Sequence, residues 1–177
     1  IMESLARDGN GNYFYIDSEN EAERIFGDDL PSTLEVIAAD VKIQVEFHAD
    51  TVKRYRLIGY ENRILDNQDF RDDTKDAGEI GPGHSVTALY EIELLPESTS
   101  TTGMLSEVRI RHKSHYGVES IEYSHGIKQS QIQSDFDTAS TDFRFAASVA
   151  EFAEILRESK HSADARLAEV KTIAQGA

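Results

Sequence analysis

The pattern of apolar and polar positions is most regular in the stretch Val41–Arg63, which reads VKIQVEFHADTVKRYRLIGYENR. From Val41 to His48 apolar and polar residues alternate strictly, and this period of two predicts a half-buried strand. A polar break at Ala49–Thr51 precedes a second, more apolar run at Arg54–Tyr60. The two runs predict a β-hairpin whose first strand has one buried, apolar face. That face consists of Val41, Ile43, Val45 and Phe47.

Three later segments also predict strands. Ser85–Leu95 alternates between apolar and polar residues and predicts a second strong strand. Leu105–Lys113 predicts its return strand, with Val108 and Ile110 inward and the basic residues outward, across a flexible hairpin loop of sequence PESTSTTG. Val118–Tyr123 predicts a weaker strand.

Near the end of the chain the period changes from two to that of a helix. Two helices are predicted, at about 141–158 and 163–174. Ser140 or Thr141 is placed to cap the first helix, and Ser162 to cap the second. We expect both helices to lie on the β region and to close its open face. The buried stripe of the first helix is predicted to contain Phe145, Val149, Phe152 and Leu156.

The N-terminal part predicts a mixture of helix and strand. Met2–Arg7 reads as the end of a helix, stopped by the DG and NG pairs that follow, and Tyr13–Ile16 reads as a short strand. Ser18 and Glu21 form a capping box that starts a helix. Pro31 suits the first turn of another. The residues of this last helix that are spaced to be buried are Leu34, Ile37 and Ala38.

The order of elements predicts an α+β fold. We expect an antiparallel β-sandwich-like core with C-terminal helices, preceded by a helix–strand–helix segment. The boundary falls near Ala39–Asp40, so the predicted domains are residues 1–39 and 40–177. A chain of 177 residues is long enough to bury a core in one such domain.

Composition excludes several classes of function. A formal charge of −15 argues against sequence-independent binding to nucleic acid or to anionic lipid, since both require excess Lys and Arg. The chain has no cysteine, so thiolate metal sites and cysteine nucleophiles are excluded. No apolar run is long enough to predict a membrane span. The opening residues IMESLA read as the interior of a helix, so we expect the chain to be part of a longer protein.

The segment from Ile64 to Gly83 is acidic, has no clear period, and exceeds the usual ceiling of about 12–15 residues for a structureless connection. It should therefore be functional or contain a short hidden element. Its carboxylates are candidate Ca²⁺ ligands, although Arg71 and Lys75 interrupt them and no EF-hand pattern is present. The alternative is a solvated acidic loop. The candidate ligands are Asp66, Asp69, Asp72, Asp73, Asp76 and Glu79.

Two weak signals for catalysis remain. His84 and Ser85 lie in GHSVT, which resembles a nucleophile elbow, but Thr87 stands where a glycine is needed and the segment enters a strand. His112 and His115 have the spacing of a zinc pair on a helix, whereas residues three apart on a strand point to opposite faces. A hydrolase or a metal-dependent enzyme is therefore the alternative to a non-catalytic module.

Five long runs together resemble the C-terminal module of bacterial von Willebrand factor A (VWA) domain proteins of the YfbK type, and the resemblance covers nearly the whole chain. The runs are GNGNYFYID, ADVKIQVEF, YRLIGYENR, DDTKDAGEIGPGHSVTALYEI and STDFRFAASVAEFAEILRES.

The resemblance implies that residues 1–39 are the C-terminal tail of a VWA domain. The metal-ion-dependent adhesion motif of that domain is absent here, so a divalent cation would belong to the missing part, and no cofactor is expected in this chain. The family is associated with the bacterial envelope, often as lipoproteins. We therefore expect a non-enzymatic protein–protein interaction or structural module with a protein partner, no nucleic acid and no direct membrane insertion.

The run RLIGYENR lies where the predicted module joins the preceding domain. We expect it to determine the geometry of that joint through ion pairs, with Gly59 permitting a bulge or a close approach. The acidic segment that follows is the more favoured functional surface. The interaction or structural residues predicted in the run are Arg56, Tyr60, Glu61 and Arg63.

Overall fold

The predicted fold class is confirmed: the chain is α+β, with two antiparallel sheets and C-terminal helices. The computed structural model describes residues 5–6, 13–28, 30, 34–60, 64–96, 103–114, 119–162 and 165–177. Within this part of the chain no helix is both long and apolar enough to cross a membrane.

Six strands and three α-helices make up the described architecture. The strands are β1 (Ala38–Phe47), β2 (Val52–Ile58), β3 (Gly78–Ile80), β4 (Leu89–Leu94), β5 (Met104–Ser114) and β6 (Ser120–Lys128). The helices are α1 (Glu19–Glu23), extended by a π-helical turn (Arg24–Asp28), α2 (Thr141–Leu156) and α3 (Leu167–Gly176). Short 3-10 turns occupy Asn67–Arg71, Gln129–Gln131 and Phe136–Thr138. The sheet orders are β3-β1-β5-β6 and β2-β4.

The predicted hairpin is wrong in its pairing, although both of its strands exist. β1 lies between β3 and β5, whereas β2 pairs antiparallel with β4, with Tyr55 opposite Ile92. The connection is a tight turn in which the backbone N–H groups of Thr51 and Val52 donate to the carbonyl of His48 at 3.0 and 2.8 Å. Alternation along a strand indicates that its two faces differ in polarity but does not identify the neighbouring strand, so it did not reveal this change of sheet.

The predicted loop PESTSTTG is likewise not a hairpin connection. It joins β4 to β5, which lie in different sheets. Residues 97–102 of this loop lie outside the described part of the chain. β4 itself begins at Leu89 and not at Ser85, and residues 84–88 form an exposed, irregular approach to it.

The start of α1 is confirmed. Ser18 is its N-cap, and its hydroxyl oxygen accepts the Glu21 backbone N–H at 3.2 Å. The predicted box is only half formed, because the Glu21 carboxylate pairs with the Arg24 guanidinium at 2.5 and 3.1 Å. The strand predicted at Tyr13–Ile16 is wrong: these residues are irregular and their side chains are exposed.

Of the helix predicted after Pro31, Leu34 is helical but residues 35–37 are not, and β1 begins at Ala38. Leu34 and Ile37 are exposed, and Ala38 already belongs to β1. The Ile37 N–H donates to the carbonyl of Ile80 at 2.8 Å. Residues 31–33, like residues 1–4 and the turn predicted at 8–12, lie outside the described residues.

The long acidic segment contains hidden elements, as predicted. Asn67–Arg71 forms a 3-10 turn that buries Phe70, and Gly78–Ile80 is β3, the edge strand beside β1. The register between β1 and β3 shifts between Ala38 and Val41. Asp40 lies at this bulge with φ of 53°, a left-handed conformation that Asp tolerates better than most residues.

The faces of two strands are not those predicted. In β1 the Lys42 side chain is only 2% exposed, whereas Ile43 is 47% exposed. In β5 Ile110 is exposed, while Arg111 and Lys113 are largely covered. Lys42, Arg111 and Lys113, which we predicted to face solvent, are therefore covered, whereas Ile43 and Ile110 are exposed.

The first C-terminal helix matches its prediction and the second is shifted. Ser140 caps α2 by accepting the Phe143 N–H at 3.3 Å. α3 begins at Leu167, so Ser162 does not cap it. The Ser162 hydroxyl instead lies 3.0 Å from the carbonyl oxygens of both Glu154 and Ser159 and closes the end of α2.

The chain forms two compact units, each assembled from three stretches. Unit 1 contains Ile1–Gln44, Asn67–Ser85 and Arg109–Tyr123. Unit 2 contains Val45–Asp66, Val86–Val108 and Ser124–Ala177. The predicted domains, residues 1–39 and 40–177, stay a prediction.

Candidate functional surfaces

Asp73, one of the candidate calcium ligands, is held by polar side chains of β5 and β6 within unit 1. Arg111 Nη2 donates to both carboxylate oxygens of Asp73 at 3.1 Å, and Ser120 Oγ donates to Asp73 Oδ1 at 2.7 Å. Lys113 Nζ donates to the Asp73 carbonyl at 3.0 Å. We call Asp73, Arg111, Lys113 and Ser120 the Asp73 cluster.

One further contact holds the segment on the sheet, and another joins two strands of the sheet. The buried ammonium of Lys42 donates to the Asp72 carbonyl, which satisfies a charge that the covered face of β1 would otherwise leave without a partner. Lys113 Nζ also reaches the Asp40 carboxylate at the bulge, at 2.7 Å. The Asp72 carboxylate is turned back on its own segment and accepts from the N–H and hydroxyl of Thr74 at 2.9 and 2.7 Å.

The two cations that interrupt the acidic segment also have partners. Arg71 donates to both carboxylate oxygens of Glu122 in β6, at 3.1 and 2.8 Å. Lys75 pairs with Asp69 at 3.5 Å. The segment therefore carries charges of both signs and is held by ion pairs. These pairs neutralise part of its negative charge.

The contacts of Asp73 and Glu122 lower the pKa values of these two acids. The Ser120 hydroxyl donates to Asp73, and together with Arg111 it lowers the pKa of the Asp73 carboxyl despite partial desolvation. The Arg71 guanidinium lowers the pKa of Glu122 in the same way. Both acids are thereby stabilised in the ionised form that the ion pairs require.

The other candidate calcium ligands are not members of the Asp73 cluster. Asp66 and Asp76 are exposed, and Glu79 is exposed on β3. Within the described residues no three His, Asp or Glu side chains lie close enough together to hold a metal ion. Calcium binding by this segment stays a prediction.

The candidate catalytic residues that the structure describes lie on two different segments. His84 and Ser85 are exposed on the irregular approach to β4. His112 stacks on Tyr123, with ring centroids 5.9 Å apart, and its Nδ1 lies 3.2 Å from the carbonyl of Lys113. His115 lies outside the described residues, so the proposed pair is not tested.

Arg56, predicted to form an ion pair, does so in unit 2 with two acids. Its Nη1 donates to the Glu154 carboxylate of α2 at 2.9 Å, and its Nη2 donates to Glu91 of β4 at 2.7 Å. Tyr60 follows Gly59 at φ of 61° and donates its hydroxyl to the Thr87 carbonyl at 2.9 Å. The other two predicted residues, Glu61 and Arg63, lie outside the described residues.

Glu154 is buried on a helix whose sequence pattern places only apolar residues inside. Desolvation acts to raise the pKa of its carboxyl, but hydrogen bonds from Ser159 and Arg56 and the positive charge of Arg157 outweigh it and lower the pKa. The Ser159 hydroxyl contributes a bond of 2.8 Å. Glu154 is thus a charged anchor between α2 and β2.

The apolar stripe of α2, predicted to be buried, is exposed. The exposed fractions are 52% for Phe145, 51% for Val149, 44% for Phe152 and 65% for Leu156. We call these four residues the α2 row. Instead, α2 packs through the side that carries Ser148 and Glu154, both almost fully buried. Beside the row, a shallow groove runs between α2 and α3, and it is lined by Ser148, Val149, Phe152, Leu167, Val170, Lys171 and Ala174.

Sequence reasoning overlooked several residues that organise these surfaces. Lys42, Ser120 and Glu122 looked like ordinary solvent-facing strand residues, and Glu154 like an exposed helical acid. No local signal distinguishes them, because each is specified by a partner at least thirty residues away in the chain.

Comparisons with known proteins agree with the family to which the sequence motifs pointed. Residues 32–177 match the family described as "Uncharacterized protein YfbK, C-terminal". The curated "Uncharacterized protein YfbK" of Escherichia coli (strain K12) is 34% identical over 195 aligned positions, which take in all of this chain and 33% of the relative. The chain thus spans about a third of that relative's length. No solved structure matches it. The chain belongs to the YfbK C-terminal family.

Proposed function

We propose that this chain is a non-catalytic protein–protein interaction module of a larger bacterial envelope protein that contains a VWA domain. The proposed partner is a protein, and no cofactor is required in this part of the molecule. The link to a VWA domain and to the envelope follows from the sequence resemblance and belongs to the proposal.

The α2 row is the observation that supports the proposal best. Four large apolar side chains, each about half exposed, lie along one face of a sixteen-residue helix. Leu167 of α3, 54% exposed, extends the apolar surface beside them. A contiguous apolar patch is costly to leave in water and is typical of a surface that binds another protein.

A capture experiment with matched variants tests this function. The tagged chain is incubated with an extract of bacterial envelope, with and without Mg²⁺, and retained proteins are quantified for wild type, Phe152→Glu and Ala168→Glu. Ala168 is exposed on the α3 face away from the groove, so its variant carries the same added charge outside the apolar surface.

We expect wild type and Ala168→Glu to retain the same proteins and Phe152→Glu to lose them. Equal retention by all three chains, or none by wild type, contradicts the proposal. An ester hydrolase activity that Ser85→Ala abolishes would replace it with the catalytic alternative.

A further inference from the structure

We infer that the α2 row is the contact surface for a second copy of this chain; this inference rests on the proposed interaction function and names the partner. The surface lies wholly within unit 2, on α2 and the neighbouring side of α3. Three properties of the row favour an identical helix as its occupant: the spacing of its residues, the size and charge of their neighbours, and the area available.

The spacing is that of a seam between two helices. Phe145, Val149, Phe152 and Leu156 follow one another at intervals of four, three and four residues, which is the a/d pattern of a coiled coil. The row runs from Phe145 to Leu156, a rise of about 16 Å along the helix, which is about three turns of contact.

The neighbours of the row allow a second helix to approach closely. On its flanks lie Ala146 and Ala153, which are small and uncharged, and Lys171 of α3 lines the groove beside the row. Glu154 is turned to the opposite side and is paired with Arg56. Two copies that each carry a charge of −15 can therefore meet along this face without placing like charges of its central turns opposite one another.

The exposed area suits a reversible dimer. With about 150–250 Å² for a whole aromatic side chain and somewhat less for Val or Leu, the exposed parts of the row and of Leu167 amount to roughly 400–600 Å² per copy. A standard interface buries about 800 Å² per partner, and weak, transient ones bury less. We therefore expect self-association in the micromolar range and not a permanent dimer.

Sedimentation velocity over a dilution series tests this inference. The whole chain is compared with Phe152→Glu and with the charge-matched control Ala168→Glu, from about 5 to about 500 µM, a range that brackets micromolar dissociation constants. Wild type and Ala168→Glu should shift from monomer toward dimer as the concentration rises. Phe152→Glu should remain monomeric throughout.

A second, milder variant separates loss of the contact from misfolding caused by an added charge. Phe152→Ala removes most of the ring without adding charge, and it should raise the dimer dissociation constant at least several-fold. Far-UV circular dichroism of each variant verifies that the helices are retained.

A wild-type chain that is monomeric at every concentration overturns the inference, and so does a dimer that Phe152→Glu leaves intact. The proposed function fails separately. A dimer that depends on Phe152, in a chain that retains no envelope protein, supports the inference and contradicts a partner of another kind.

Discussion

Glu154 shows how a single buried residue can oppose the pattern around it. It lies on an amphipathic helix, yet its side chain is almost fully buried and an exposed apolar row occupies another side of the same helix. The reason is Arg56, whose guanidinium bridges Glu154 and Glu91. A buried carboxylate with several donors is retained because removal of any one partner leaves an unpaired charge.

Replacement of Glu154 by Gln should destabilise the chain by about 2 kcal/mol, because charge-assisted hydrogen bonds to Arg56 and Ser159 become weaker or are lost. Urea unfolding followed by circular dichroism measures the loss. Glu151→Gln is the matched control, since Glu151 lies on the same helix and takes part in none of these bonds. An equal effect of both substitutions would show that the Arg56 bridge does not stabilise the fold.

The lowered pKa of Glu154 also determines how the free energy of unfolding changes at low pH. Its pKa is lowered below the ordinary value of 4.5 in the folded chain. Its contribution to the free energy of unfolding is therefore complete above that value and is lost as the pH falls through the folded pKa. Unfolding experiments from neutral pH to about pH 3 should show a steeper loss for wild type than for Glu154→Gln. Parallel curves would contradict this assignment.

Glycine is required at position 59 because of the backbone conformation and not because a side chain would clash there. Its φ is 76°, and a Cβ atom at this position would meet nothing within 4 Å. Gly59→Ala should cost about 1 kcal/mol or more, because an L-residue is strained in the left-handed region. Gly27 is equally open but lacks a positive φ, so Gly27→Ala should be neutral or slightly stabilising. Thermal unfolding of the two variants gives the comparison, and equal melting temperatures would contradict it.

At the scale of elements, the sequence predicted strands well and their surroundings poorly. The alternation in β1 and β5 is real, but the docked acidic segment covers the face that carries Lys42, Arg111 and Lys113. Alternation with a period of two shows that the two faces of a strand differ in polarity, but it does not show which face is covered. Charged side chains can lie on a covered face when groups of opposite charge pack against that face.

Asp73→Asn should loosen the acidic segment from β5 and β6, because the bidentate pair with Arg111 needs a carboxylate. We expect amide hydrogen exchange in residues 67–76 to become several-fold faster, with little change in α2 or α3. Asp76→Asn removes an exposed acid of the same segment and is the matched control. Unchanged exchange in Asp73→Asn would show that Phe70 and the backbone contacts suffice to hold the segment.

For the whole molecule, the net charge of −15 opposes any association between two copies. The α2 row is apolar, so the proposed dimer contact itself gains nothing from ion pairs. The charge therefore acts only as a long-range repulsion, and salt screens it with a Debye length of about 10 Å at 0.1 M.

The dimer fraction should consequently rise when NaCl is increased from about 0.05 to about 0.5 M, because screening weakens the repulsion and leaves the apolar contact in place. Sedimentation velocity at one fixed protein concentration measures the change, with Phe152→Glu as the monomeric control. A dimer fraction that falls with salt would indicate an interface built from ion pairs, at odds with the row as the contact surface.

The sequence by itself determined the features that depend on neighbours within a few residues. These are the strand and helix periods, the caps at Ser18 and Ser140, and the fold class, and the long motifs identified the family. The tertiary structure alone decided that β2 pairs with β4, that Asp73 is held by β5 and β6, and that the α2 row remains exposed. Local hydrogen bonds and periods are encoded in short stretches of chain, whereas strand partners and ion pairs join residues that only folding brings together.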